Sequence, residues 1–357
     1  MNGYGPATGW GRIGILAKAG IKYVTPKKML NFVRCELDVL RRNPGPKSMP
    51  YSAVIDVTNI CNLKCPYCPT GARRKSGRTH RMVDPAAVEK LLNEIGDYLI
   101  SVNLYDWGEP FLHPRIVDLV QMCHDRGIFT MISSNMNTLN QQLMDEVCEA
   151  GLDYLVVSLS GTTQEVYQKY HRGGRIERLI ENVRHISEFK KKHALKTPII
   201  EFHYLVFKNN QQEVPAARDL ARRLGVQIFR ALPAVGPEEE TVQLDNDPKK
   251  MLSEVQYCHQ LWHLAVITPD SSVAPCYYTY FNKDDFAHYS EGDIVSIRNN
   301  HLFVTARKLF NRNKTGELPP KLEHPCLKCH LVHSQAHLKD YLKGNPHANK
   351  EHRTGGP

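Results

Sequence analysis

Cys61, Cys65 and Cys68 stand at x3 and x2 spacing in Cys61-Asn-Leu-Lys-Cys65-Pro-Tyr-Cys68, directly after the apolar run at 53–57. Three thiols this close in sequence can turn their sulfurs toward one centre. A closed zinc site takes four ligands, so zinc would need Cys35 or a histidine to complete it. A cubane iron-sulfur cluster held by three thiolates instead leaves one iron free to bind a further molecule. A second set lies downstream: Cys258 and Cys276 bracket a hairpin-like stretch, and Cys326-Leu-Lys-Cys329 follows. Those four ligands suit zinc or a closed cluster equally by count. Cys35, Cys123 and Cys148 lie singly in helical-looking segments and read as small buried hydrophobes.

The elements that must position these residues are legible in the pattern. From 51 to about 232, short β-branched runs alternate with amphipathic stretches. Strands are predicted at 53–57, 101–105, 129–133, 154–158, 199–207 and 227–231, with helices near 85–97, 115–126, 139–150, 163–191 and 212–224. Crossover helices between successive strands imply a parallel sheet, most of a (β/α) barrel. Barrel chemistry sits on loops at the C-terminal strand ends. The cysteines, Asp106-Trp-Gly-Glu-Pro110, Ser133-Ser-Asn135 and Ser158-Leu-Ser-Gly161 all fall there. On the fifth and sixth strands, Glu201, His203 and Arg230 interrupt what should be a buried apolar face; they are the catalytic candidates, against a plain buried ion pair.

Cys-x3-Cys-x2-Cys with aromatic Tyr67 in its last gap resembles the signature loop of the radical S-adenosylmethionine (SAM) enzymes. The resemblance implies that Cys61, Cys65 and Cys68 hold a [4Fe-4S] cluster whose open iron binds SAM, and that SAM cleavage yields a 5′-deoxyadenosyl radical that takes a hydrogen atom from substrate. Trp107-Gly108-Glu109-Pro110 resembles the Gly-Gly-Glu-Pro segment that holds the SAM amino group, with Trp107 in place of the first glycine. Ser133 and Asn135 resemble the Ser/Thr-x-Asn pattern at the end of the third strand. Ser158 with Arg172, of Tyr170-His-Arg-Gly-Gly174, resembles the pair on the SAM carboxylate and ribose, and an Arg fork suits a carboxylate. Ser160 stands where many relatives carry aspartate. The distal cysteines resemble the twitch module, the short form of the SPASM extension. That implies a second, auxiliary [4Fe-4S] cluster on Cys258, Cys276, Cys326 and Cys329, saturated by thiolates and so suited to electron transfer. Asp270-Ser271 replaces the usual Asp-Gly of that module's hairpin.

The fold class so implied is α/β: a partial (β/α)6 TIM-like barrel followed by a small twitch/SPASM-like domain. The expected divisions are a helical extension at 1–50, the barrel at 51–235, the auxiliary-cluster unit at 236–340 and a flexible basic tail at 341–357. The expected reaction is hydrogen abstraction from a hydroxyl-bearing carbon of a sugar, cyclitol or similar small molecule, as in radical SAM dehydrogenases, dehydratases and epimerases. Peptide maturation, lipid modification and a non-catalytic zinc protein are the alternatives.

At 357 residues and 41% hydrophobic composition the chain can bury a large core. A net charge of +9 resides in runs such as Arg73-Arg-Lys75 and Lys190-Lys-Lys192, read as solvated faces. No nucleic-acid motif accompanies them; an anionic small-molecule substrate would suit the charge. No run is long enough to span a membrane. The clustered cysteines without a secretion signal point to reducing cytoplasm, with a flavodoxin or ferredoxin as reductant. Helical spacing at 26–42 reads as a helix packed on the barrel, or as a basic amphipathic surface for peripheral membrane contact. The His- and Lys-rich end, with His330, His333, His337, His347 and His352, reads as a solvated, partly disordered tail.

Overall fold

The structure is a computed structural model that describes residues 20–138, 140–242, 258–319 and 321–348. Its first elements are helix α1 (Pro26–Leu40), strand β1 (Ser52–Ile55), α2 (Pro85–Ile95), β2 (Ser101–Asn103), α3 (Ile116–Asp125), β3 (Phe129–Ser134), α4 (Gln141–Glu149) and β4 (Tyr154–Leu159). Then come α5 (Gln164–Tyr170), α6 (Ile176–Lys192), β5 (Ile199–Val206), α7 (Val214–Arg223) and β6 (Ile228–Pro233). Short polar caps start four of these helices. Thr25 and Asp84 each precede a proline and accept from Lys28 N and Ala86 N; Asn140 and Thr163 cap α4 and α5 in the same way.

The parallel order β6-β5-β4-β3-β2-β1 meets the expectation of a partial barrel. Register carries side chains into layers on its inner face, because alternate residues share a face. Val54, Asn103, Met131, Tyr154 and Ile199 are aligned across five strands. One layer up stand Ser133, Val156, Glu201 and Ile228, and above them Ser158, His203 and Arg230. The lower lumen is filled by Phe129, Tyr154, Val156, Ile199 and Ile228 and closed by Tyr23, whose hydroxyl donates to Asp153 at 2.7 Å. The opposite sheet face packs on the helices in the main hydrophobic cluster. The molecule is therefore apolar at the bottom of the barrel and polar toward the C-terminal strand ends.

Three expectations change. The single helical stretch at 163–191 is two helices, broken at His171–Arg175 where Gly173 adopts φ +87°; a left-handed residue ends a helix. The C-terminal unit also continues the barrel's sheet: β7 (Leu264–Ile267), which follows the short α8 (Gln260–His263), pairs parallel with β1, and β8 (Ser272–Ala274) and β9 (Ala287–His288) extend it antiparallel. An apolar strand edge at β1 is thereby covered. Finally, the tail expected to be flexible from 341 is packed as far as it is described. Beyond α9 (Ile294–Ile297) and α10 (His301–Lys308) come α11 (His330–His333) and α12 (Lys339–Gly344), with Val332, Leu338, Leu342 and Ala348 buried. His333 and His337 are tied to the carbonyls of Leu327 and Leu309 at 2.8 and 3.1 Å, so they serve the packing. His352, the Gly-rich start at 1–19 and the acidic linker beyond 242 lie outside the described residues. Two lysines also leave the solvated faces assigned to their runs: Lys28 and Lys190 are buried.

Candidate active site

The cysteine loop leaves β1 and is fixed from two directions. Lys64 N donates to the Arg172 carbonyl at 2.9 Å and Glu109 N to the Ile60 carbonyl at 2.8 Å. Gly108 lies so close to the chain that a Cβ there would overlap the Thr58 carbonyl oxygen, which is why glycine is required. Cys61 and Cys68 are half-buried and Cys65 is buried. Burial first, then the Glu109 carboxylate and the neighbouring Cys68 thiol, push the Cys61 thiol up to about 11. Cys65 and Cys68 are raised as well, by burial first, and at Cys65 by its two partner thiols next.

Glu109, wholly buried, accepts from Ser134 Oγ and Asn135 N at 2.8 Å each and from Phe111 N at 3.3 Å. Burial still pushes its carboxyl up to about 7, which a cation brought alongside would reverse. Asn135 reaches the cysteine loop, donating to Asn62 Oδ1 at 2.9 Å and to Cys61 Sγ at 3.8 Å. Ser133 lies on the lumen face, and the serine bound to Glu109 is its neighbour Ser134, which the sequence motif does not single out. Strand alternation in Ser133-Ser134-Asn135 is the signal that separates them.

Arg172 is exposed on the turn after α5, and its charge acts on Cys65 and Tyr67. Tyr67 packs between Tyr170 and Phe207, with ring centroids 6.2 and 6.1 Å away. The Ser160 departure has a partner. His171 Nδ1 lies 2.6 Å from Ser160 Oγ, its ring stacked on Tyr167 at 4.8 Å. Burial lowers this histidine to about 3, so it stays neutral.

Deeper in the lumen, Glu201 receives the Tyr154 hydroxyl and the Arg230 guanidinium, the latter at 3.1 Å. Glu201 and Arg230 are thus a partly buried ion pair, with His203 beside Arg230 in register. Sequence reasoning missed an acidic group near the mouth. Asp56 is buried, accepts from Trp107 N at 3.3 Å and is pushed up to about 7, chiefly by burial; Asp106, which interacts with it, is raised as well. Arg78 lies behind them, paired with Asp285 at 2.6 Å and Asp270 at 3.1 Å.

At the C-terminal set, burial pushes Cys258 up to about 12 and Cys276 to about 11, with Cys276 and Cys329 adding to the first and Cys329 to the second. Cys326 is raised well above its usual range by burial and then by the other three thiols. Its backbone N–H is capped by His324 Nδ1 at 3.1 Å. The Asp270-Ser271 turn closes without glycine because Ser271 takes φ +61° and its N–H reaches the Thr268 carbonyl at 2.9 Å. Among the described residues, no three His, Cys, Asp or Glu side chains stand in the geometry of a single bound ion. Both sets nonetheless consist of buried or half-buried thiols, most of them raised by a neighbouring thiol. Neutral when alone, such thiols are the donors that a metal centre deprotonates on binding.

An α/β parallel barrel with a three-thiol loop at one strand end defines a class of protein, and the comparisons agree on it. Residues 55–221 match the family model described as the Radical SAM superfamily. The chain is 25% identical over 182 residues to a probable GTP 3′,8-cyclase of Methanocaldococcus jannaschii, covering 50% of this chain and 58% of that protein. It is 24% identical over 130 residues to the PqqA peptide cyclase of Bradyrhizobium diazoefficiens, covering 35% and 34%. In fold it is similar to Streptococcus suis SuiB bound to S-adenosylmethionine, with TM-score 0.60, 15% identity, and coverage of 90% of this chain and 80% of that one. The chain spans about half the length of the curated relatives it matches. These findings make residues 55–221 similar to the Radical SAM superfamily, and the chain as a whole similar in fold to a protein solved with S-adenosylmethionine.

Proposed function

We propose that this protein is a radical SAM enzyme that abstracts a hydrogen atom from a hydroxyl-bearing carbon of a sugar, cyclitol or related small molecule, leading to oxidation, dehydration or epimerisation. Cys61, Cys65 and Cys68 would hold the SAM-binding cluster, which with SAM supplies the 5′-deoxyadenosyl radical. Cys258, Cys276, Cys326 and Cys329 would hold an auxiliary [4Fe-4S] cluster that takes an electron away, with a flavodoxin or ferredoxin as the reducing partner and a cytoplasmic setting. This chain's residues do the positioning. Gly108 and Glu109 shape the edge where the SAM amino group would lie, and Asn135 ties that edge to Cys61. Arg172 and Ser158 face its carboxylate and ribose side, and Tyr67 walls the pocket.

The observation that carries the small-molecule reading is the polar layer of Ser158, His203 and Arg230, with Glu201 beneath, above a lower lumen filled by apolar and aromatic residues. Hydrogen-bonding groups in an enclosed lumen suit a compact polyhydroxylated substrate. GTP, named in the cyclase relatives, is itself ribose-bearing.

The PqqA peptide cyclase match favours a second reading, peptide cross-linking. A panel of carbinol-deuterated sugars and cyclitols, run beside peptides, separates the two. Deuterium appearing in 5′-deoxyadenosine from a carbinol position is the expected outcome, lost in Arg230→Met. Deuterium from a peptide, with none from any carbinol, would overturn the small-molecule reading.

A further inference from the structure

The exposed large apolar side chains concentrate on α1. Met29, Leu30, Val33, Leu37 and Leu40 are 41–67% exposed. At about 100° per residue they fall within about 100° of helix arc. Arg41, Arg34 and Lys27, all exposed, occupy about the next 60°. The opposite side of the same helix is docked, with Cys35 and Val39 buried and Asn31 bonded both ways to the Met49 backbone at 3.0 and 2.9 Å. So the outward apolar stripe is not a core face that has lost its partner: the core face is already covered.

The charges on this helix are sorted as well. Glu36 is turned inward to Tyr51 at 2.8 Å and His259 at 2.9 Å, and Asp38 to Asn43 and Ser48, both at 2.7 Å. Lys27 shares Asp97 at 2.7 Å. The helix therefore shows solvent an apolar strip with cations along one edge, while its two carboxylates, both half-buried, are engaged by Tyr51, His259, Asn43 and Ser48. Tryptophan and tyrosine, which are enriched among the anchors of protein interfaces, are absent from this strip, which is aliphatic and Met. Aliphatics beside Arg and Lys, whose long stems let the charge reach upward, are the pattern of a helix lying in a headgroup layer.

We propose that the exposed face of α1 seats this protein on an anionic lipid bilayer, as a peripheral contact independent of which substrate the barrel takes.

The test is flotation of the reconstituted full-length protein with phosphatidylcholine vesicles, with and without about one-third phosphatidylglycerol, at low salt. Two variants accompany it: Val33→Asp with Leu37→Asp, and Arg34→Gln with Arg41→Gln. All four positions are exposed, and near-UV circular dichroism checks that folding is unchanged. Wild type should float with the anionic vesicles and not with the neutral ones. The aspartate pair should abolish flotation, and the glutamine pair should weaken it about 25-fold, about fivefold for each arginine at a charged surface. Wild type staying in the soluble fraction would overturn the proposal, as would either variant floating like wild type. A concentration-dependent dimer dissolved by the aspartate pair, without vesicle binding, would make the occupant a second copy and overturn it equally.

Discussion

At the scale of residues, the site is a set of acids and thiols kept from water. Asp56 shows the consequence most plainly: buried, it prefers the neutral form and titrates near 7 instead of its usual 3.8. An acid whose folded pKa is raised contributes stability that is fully present below about pH 4 and is lost as pH rises through about 7. The protein without its clusters should therefore weaken across that window. Asp56→Asn keeps an acceptor for the Trp107 N–H and removes the charge. It should stabilise the protein by about 2 kcal/mol at pH 8, half of what a three-unit shift implies, and change little at pH 4. Denaturant melts at the two pH values check this, and equal effects at both would show that desolvation is not the cause.

At the scale of elements, the loops succeed because a few backbone positions admit only one geometry. Gly108 is needed for space, whereas Gly173 is needed for its φ, since nothing lies within 4 Å of where its Cβ would be. Gly173→Ala should cost about 1 kcal/mol of stability through backbone strain alone. Because Lys64 N hangs on the Arg172 carbonyl, it should also weaken SAM binding several-fold by equilibrium dialysis. Unchanged SAM affinity would mean that the Arg172 turn does not support the cysteine loop. The strands, and four of the five helical stretches, were legible because periodicities of 2 and 3.6 were undisturbed. The break at His171–Arg175 was not, since α5 has only seven residues, too few to set an apolar phase of its own against α6. The cysteines were readable from their spacing, and the Glu109 loop only through its resemblance to a family segment at a strand end. Ser134, Asn62, Asp56 and Arg78 were not, because their roles arise from contacts up to about two hundred residues apart, such as Arg78 with Asp285. His171 was hidden for another reason: its partner, Ser160, looked like a loss.

At the scale of the whole molecule, the continuous sheet from β6 to β9 joins two thiol sets that the sequence separates by nearly two hundred residues. Arg78 reinforces the join, running from the segment after the first set to Asp270 and Asp285 beside the second. If the proposed function holds, both thiol sets bind iron. Its direct test is iron, sulfide and zinc analysis after anaerobic reconstitution, on wild type, on a variant with Cys61, Cys65 and Cys68 changed to Ala, and on one with Cys258 and Cys326 changed to Ala. Wild type should carry about eight irons and each variant about four, with SAM cleavage abolished in the first. About four irons in wild type, none in the first variant, and one zinc lost in the second would contradict it. The distal thiols would then be a closed zinc site.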